Sequence, residues 1–274
     1  MQLALSCRIA ESSTQKDIAA IPIGALAPLV ASAGFTGMSM RASAISVEHA
    51  IEEQQAVRTI LDTNDLKASM VMGNVPLAAN NAEAPDCLRN ITPHLDLAER
   101  LGATLVRIML QREADIPHAQ RAADEAAERG ITLAQQTHWG TLCETVEESL
   151  DVVRRMDRQN FGITFEPANL LACGDDCGPG ALCRLAPHIV NFYSQNVRLD
   201  PNGAHTFNSR HAGPTSLTYV AFDDASGIPI APLIEVLRQT GYTGWVSVHQ
   251  PLRDGQMVED AVDEAARVFL PLVS

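Results

Sequence analysis

Eight short apolar segments alternate with helix-patterned stretches along this 274-residue chain, and that alternation restricts the fold more than any other feature. Strands separated by helices must run parallel, joined by right-handed crossovers. Five or six such units leave an open sheet, whereas eight close into a barrel. The strands are predicted at Gln2–Ser6, Phe35–Met40, Ala68–Met72, Thr104–Met109, Ile131–Ala134, Phe161–Phe165, Ile189–Phe192 and Trp245–Val248. Helices are predicted over Ile23–Ala33, Val47–Leu61, Ala84–Leu101, Ile116–Arg129, Thr141–Met156, Pro229–Thr240 and Val258–Leu270. Ile51, Val57, Ile60 and Leu61 share one side of the second helix. Gly102 stands at a C-cap position, and Thr141 followed by Glu144 reads as a capping box.

No linker rich in Pro, Gly or Ser divides the chain, so residues 1–274 read as a single domain. The longest stretch without a regular pattern, Asn196–Ser226, is rich in Arg, His, Asn and Gly. Loops of that length are uncommon unless they cover a site, so a lid-like loop is expected there.

In a parallel barrel, residues at the C-terminal ends of the strands converge on one face, where such folds keep their active sites. The polar groups at those ends are Gln136 and His138, then Glu166 and Asn169, then Tyr193, Gln195 and Asn196, then His249 and Gln250. Strand alternation lets only some of Tyr193, Gln195 and Asn196 face the centre. In the long loop, His205, His211, Arg198 and Arg210 are further candidates, and Arg107 lies on the fourth strand.

Composition removes several functions. A net charge of −13 opposes binding to nucleic acid or an anionic membrane, which needs clustered Lys and Arg. No apolar run approaches the ~20 residues that cross a bilayer, and the amino terminus lacks a secretory pattern, so a cytoplasmic protein is expected. Six irregularly spaced cysteines suit reduced thiols; Cys173, Cys177 and Cys183 lack the further ligand that would complete a zinc site. The two lysines, Lys16 and Lys67, sit in a polar loop and at the start of the third strand. Neither placement offers the desolvated amine of a Schiff-base mechanism.

Leu101-Gly102-Ala103 before a Val-Arg-Ile strand, Ile131–His138, the run from Phe161 to Leu170, and Gly241–Val248 together resemble the xylose-isomerase-like superfamily of (β/α)8 TIM barrels. That group contains sugar isomerases and epimerases as well as endonuclease-IV-type repair enzymes. The resemblance is good over about residues 95–270 and weak in the first third. It implies an α/β fold with one (β/α)8 barrel and a divalent metal (Mn, Mg or Zn). The ligands it implies are a Glu, an Asp, a His and a Glu after strands five to eight, places held here by Gln136, Glu166, Tyr193 and His249. The family's His three residues beyond the strand-six acid is Asn169 here, and its Lys and Asp after strand seven are Gln195 and Asn196.

Gln136 cannot take up a proton, so the family's pair of glutamates acting as base and acid is absent. Proton transfer between Glu166 and His249 remains open, with His138 alongside, because imidazole titrates near neutrality. The expected ion-binding set is Gln136, Glu166 and His249. Asn169, Tyr193, Gln195, Asn196, Arg198 and His211 are the expected substrate contacts, and Arg198, Arg210 or Arg107 would bind a carboxylate or phosphate. The reading is an isomerase or epimerase acting on a small polyhydroxylated substrate, a sugar or sugar acid. A lyase (decarboxylase or dehydratase) and a non-catalytic carbohydrate-binding barrel are the alternatives. A homo-oligomer is left open, and DNA repair is disfavoured by the acid excess.

Overall fold

All eight predicted strands form, and they close. The computed structural model describes residues 1–12 and 14–274. In chain order it begins β1 (Gln2–Ser6), α1 (Ile23–Ser32), β2 (Gly37–Met40), α2 (Ile51–Thr63), β3 (Lys67–Val71), α3 (Val75–Ala79), α4 (Thr92–Leu101) and β4 (Leu105–Ile108). It continues α5 (Ile116–Glu128), β5 (Thr132–Gln136), α6 (Val146–Met156), β6 (Phe161–Phe165), α7 (Pro167–Ala172), α8 (Pro179–Leu185) and β7 (Ile189–Ser194). The last third holds β8 (Val197–Leu199), β9 (His205–Ser209), β10 (Gly213–Tyr219), α9 (Ile230–Gln239), β11 (Trp245–Val248) and α10 (Val258–Val273). The barrel order is β1-β11-β7-β6-β5-β4-β3-β2, with every neighbouring pair parallel.

The core divides by strand face. Met70, Leu105, Ala134 and Tyr193 fill a small cluster of their own. The alternate residues pack outward with the helices in one large apolar cluster dominated by Leu, Ala, Ile and Val. Gly37 is required where β2 passes Trp245, since a Cβ there would lie 2.7 Å from the indole ring. Gly102 closes α4 at φ 70°, donating to Ala98 and Glu99 carbonyls, a left-handed cap that glycine adopts without strain.

Three local expectations are corrected. The predicted helix 84–101 is a 3₁₀ turn at Ala84–Arg89 followed by α4, because Pro85 and Pro93 each fit only a first helical turn. The start of α6 is capped by Thr145, whose hydroxyl accepts from Glu148 N–H, while Thr141 donates its hydroxyl to the His138 carbonyl. The stretch 196–226 is no irregular loop: β8, β10 and β9 form a three-stranded antiparallel sheet in that order. Its alternating Thr, Phe, Ser and Tyr residues carry a strand pattern that the Arg and His content obscured. Among the described residues, no helix is long and apolar enough to cross a membrane.

Candidate active site

Glu166 stands directly after β6, fully buried, and three amide groups converge on its carboxylate. Oε2 accepts from Gln136 Nε2 at the end of β5 and from Asn169 Nδ2 at 2.8 Å, one turn along α7. Oε1 accepts from Gln195 Nε2, just past β7. Thr137 braces the arrangement: its hydroxyl accepts from Glu166 N–H at 2.9 Å, and its carbonyl accepts from Asn169 Nδ2 at 3.0 Å. Burial pushes Glu166 up to about 7, against Arg8, the Gln136 amide, Arg107 and Arg41, all of which pull it down. The result is a carboxyl group poised near neutrality, the range in which a group both accepts and returns a proton efficiently.

His249, just past β11, is buried and stacks on Tyr193 with ring centroids 3.9 Å apart. Its Nδ1 lies 2.8 Å from the Ser6 hydroxyl at the end of β1. Burial holds its pKa well below the usual histidine range, with Arg8, Arg41 and Arg107 adding to the effect. His138 shares this state: Nδ1 lies 2.6 Å from the Trp139 carbonyl, and burial, then Arg107, lowers it to about 3. Both imidazoles are neutral at physiological pH.

Of Tyr193, Gln195 and Asn196 at the end of β7, Gln195 reaches Glu166. Tyr193, assigned by strand alignment to the ligand position, points the same way but two residues deeper, where its hydroxyl lies 2.8 Å from Ser39 Oγ. Asn196 faces the other way and holds the 221–228 loop through the Ala221 carbonyl and Ile228 N–H. Gln250 ties β7 to the lid sheet, accepting from Asn196 N–H and donating to the Val220 carbonyl.

The expected anion-binding arginines are occupied elsewhere. Arg198 is exposed and pairs with Asp200 at 3.1 Å. Arg210 and His211 bond Glu148, and Arg210 also pairs with the buried Glu144. Arg107 is buried and donates to the Leu77 carbonyl and Asn80 Oδ1. His205 is exposed and packs edge-on against Tyr219.

The first two strands supply residues that sequence reasoning passed over. Arg8, two residues beyond β1, donates to the Tyr219 hydroxyl at 3.0 Å, linking the barrel to the lid sheet. Burial alone would lower its pKa, but Tyr219, Glu166 and Glu11 hold it above its ordinary range. Arg41, directly after β2, forms a two-pronged ion pair with buried Glu11, with Nη2 3.0 Å from Oε1. Lys16 reaches the same carboxylate at 3.2 Å. A charged residue one or two places after an apolar strand is the same signal that marked Glu166.

The lid sheet is fastened on two sides. Phe207 of β9 packs on Trp139, which in turn packs on His138. Glu144 accepts from the Ser209 hydroxyl at 2.9 Å and from Arg210 N–H at 2.8 Å. A cavity of about 540 Å³ opens between the loops after β1 and β11, with Arg8 and Glu11 in its wall.

The donor set does not fit a divalent ion. Of the expected set, Gln136 bonds Glu166 while His249 contacts Tyr193 and Ser6; together they bring one carboxylate, and amide N–H groups already occupy both of its oxygens. Hard cations favour several carboxylate or carbonyl oxygens, and three arginines acting on Glu166 create a field that repels a cation. Among the described residues, no group of three or more His, Cys, Asp or Glu could hold an ion.

Comparison with known proteins is consistent with this architecture. The family model of the xylose isomerase-like TIM barrel matches residues 27–272. The rhizopine catabolism protein MocC of Rhizobium meliloti is 26% identical over 225 residues, covering 72% of this chain. The matched region spans 66% of the length of that relative. Among solved structures, a xylose isomerase domain protein from Planctomyces limnophilus superposes with a TM-score of 0.72 at 15% identity, over 99% of this chain and 95% of its own. A xylose isomerase-like barrel from Mycobacterium smegmatis in complex with magnesium gives 0.70 at 15% identity, over 100% and 96%. Epimerases and a probable dehydratase are among the other solved barrels with this fold. On the family match, the chain belongs to the xylose isomerase-like TIM barrel family.

Proposed function

We propose that this protein is a cytoplasmic isomerase acting on a small polyhydroxylated carbonyl compound, a sugar or sugar acid, with Glu166 moving the proton next to the carbonyl. One observation carries the reading: a wholly buried carboxyl group at the barrel mouth, held by three amides and poised at about 7. Glu166 takes the proton from carbon in its ionised form and returns it to the neighbouring carbon on the same face, while the proton of the adjacent hydroxyl passes to the former carbonyl oxygen through the enediol. A single base suffices for that shuttle. Two-base epimerisation needs a second group titrating near neutrality, and His138 and His249 both stay neutral.

Neutral His249 has a different task. In the tautomer that carries its proton on Nε2, with Nδ1 accepting from the Ser6 hydroxyl 2.8 Å away, the imidazole would polarise the substrate carbonyl without becoming charged. Gln136, Asn169 and Gln195 fix the carboxylate and hold the developing charge. Asn169 is the strongest positioning residue of the three, since Thr137 orients it independently of Glu166. No divalent ion is assigned a part, because the donor set does not suit one. The relative named for rhizopine catabolism supports a catabolic enzyme.

Deuterium uptake from D₂O into the carbon next to the carbonyl, followed by NMR across a panel of aldoses, ketoses and sugar acids, tests the reading. Exchange should occur with at least one compound and fall at least ~100-fold in Glu166→Gln, the usual worth of a positioned base. Binding of panel compounds with exchange in none of them would reject it.

A second reading, a lyase eliminating water or carbon dioxide from a sugar acid, is favoured by the three arginines around a single acid. It differs by releasing an unsaturated or shortened product.

A further inference from the structure

We infer that the substrate is a carboxylate, a sugar acid rather than a neutral sugar, and that Arg8 is the residue that binds its anionic end. The inference rests on the reading of Glu166 as the reacting group, and it assigns the neighbouring cavity.

Charge accounting around the mouth leads to Arg8. Glu11 is shared by Arg41 and Lys16. Arg253 on the opposite cavity wall is held by Glu264, with Nη2 2.6 Å from Oε2. Arg8 has no carboxylate in hydrogen-bond contact among the described residues; its side chain donates to the neutral Tyr219 hydroxyl. Its Nε is buried and has no partner. A buried guanidinium donor without an acceptor is unfavourable, a deficit that an anionic ligand would remove.

Placement supports the same assignment. Arg8 lines the cavity of about 540 Å³, a volume within the ordinary range for small-molecule sites. Its charge also acts on Glu166, lowering the pKa of the reacting group. Nε and Nη2 form one edge of the guanidinium, the geometry that takes both oxygens of a carboxylate side by side. Tyr219, on the lid sheet, already bonds Nη2, so a ligand seated here touches barrel and lid together. The net charge of −13 makes a cationic mouth a local construction, not a reflection of the whole chain.

Matched ligand pairs test the proposal by thermal shift on the full chain: gluconate against glucitol, galactonate against galactitol, and glucuronate against glucose, with glucose 6-phosphate as the phosphate arm. The acid of at least one pair should raise the melting temperature more than its neutral partner. That preference should fall roughly tenfold or more in apparent affinity in Arg8→Gln, the usual worth of a charge-assisted bond, and be partly retained in Arg8→Lys. No preference for any acid, a preference that survives Arg8→Gln, or a larger effect of the sugar phosphate would overturn it. If Arg8→Gln fails to fold, Arg8→Lys decides: an acid preference as strong as the wild type's would overturn the assignment to Arg8. An acid preference dependent on Arg8 with no deuterium exchange would leave this inference standing and remove the isomerase reading.

Discussion

Replacing Glu166 by glutamine should abolish a pH dependence of stability that the wild-type protein carries across neutrality. The folded protein holds the Glu166 proton more tightly than the unfolded chain, with a pKa of about 7 against an ordinary 4.5. At about 1.4 kcal/mol per pH unit, that gap makes ionisation of the buried group about 3 kcal/mol harder in the folded state. The stabilisation by the proton is therefore fully present below 4.5 and is lost as pH rises through about 7.

Glutamine has the same shape and no charge to bury. Its carbonyl can take the place of Oε2, keeping the bonds from Gln136 and Asn169. Its amide nitrogen then falls at Oε1, where Gln195 can turn its own amide to offer oxygen. Asn169 cannot turn as cheaply, because its Nδ2 also bonds the Thr137 carbonyl. Urea unfolding of both proteins at about pH 5 and about pH 8 measures the difference. His138 and His249 contribute with the opposite sign in both proteins, and their effect cancels in the comparison. The variant should gain about 3 kcal/mol on the wild type between the two conditions. A constant difference, or one that moves toward the wild type with rising pH, would refute the claim that burial dominates this site.

Other perturbations probe the surroundings. Arg41→Met strips buried Glu11 of its two-pronged partner and should destabilise the protein by about 3–5 kcal/mol in urea unfolding, with part recovered in the double variant with Glu11→Gln. Glu144→Ala removes the acceptor that fastens Ser209 and Arg210, so amide hydrogen exchange should quicken across residues 205–219 with little change in the barrel strands. Mn²⁺ or a chelator should leave the melting temperature and the deuterium-exchange rate unchanged; a manganese-dependent rise in either would contradict the reading of the donor set.

The barrel was legible because its signal is redundant. Each barrel strand is largely buried on both faces, between the interior and the helix layer, and eight such runs separated by helical patterns leave few other closures. The pairing of Gln136 with Glu166 was legible from strand ends alone. What escaped needed three dimensions. Tyr193 and Gln195 both point inward, and only the height of the strand shows that Gln195 meets Glu166. Arg8 and Arg41 follow strands whose resemblance to the family was weak, and nothing local marks their partners, Tyr219 and Glu11, as neighbours. The lid sheet was obscured because its strands are half-exposed, so Thr, Ser, His and Asn replace the apolar alternation of a core strand.

Carbon-13 NMR of the glutamate side-chain carboxyls, with the Glu166 resonance assigned by its loss in Glu166→Gln, measures the titration on which the whole account turns. A midpoint near 7 is expected, unchanged by added divalent ions. A midpoint at or below the ordinary glutamate value would mean that the three amides and the arginines outweigh burial, and that Glu166 is a fixed structural anion with no proton to exchange.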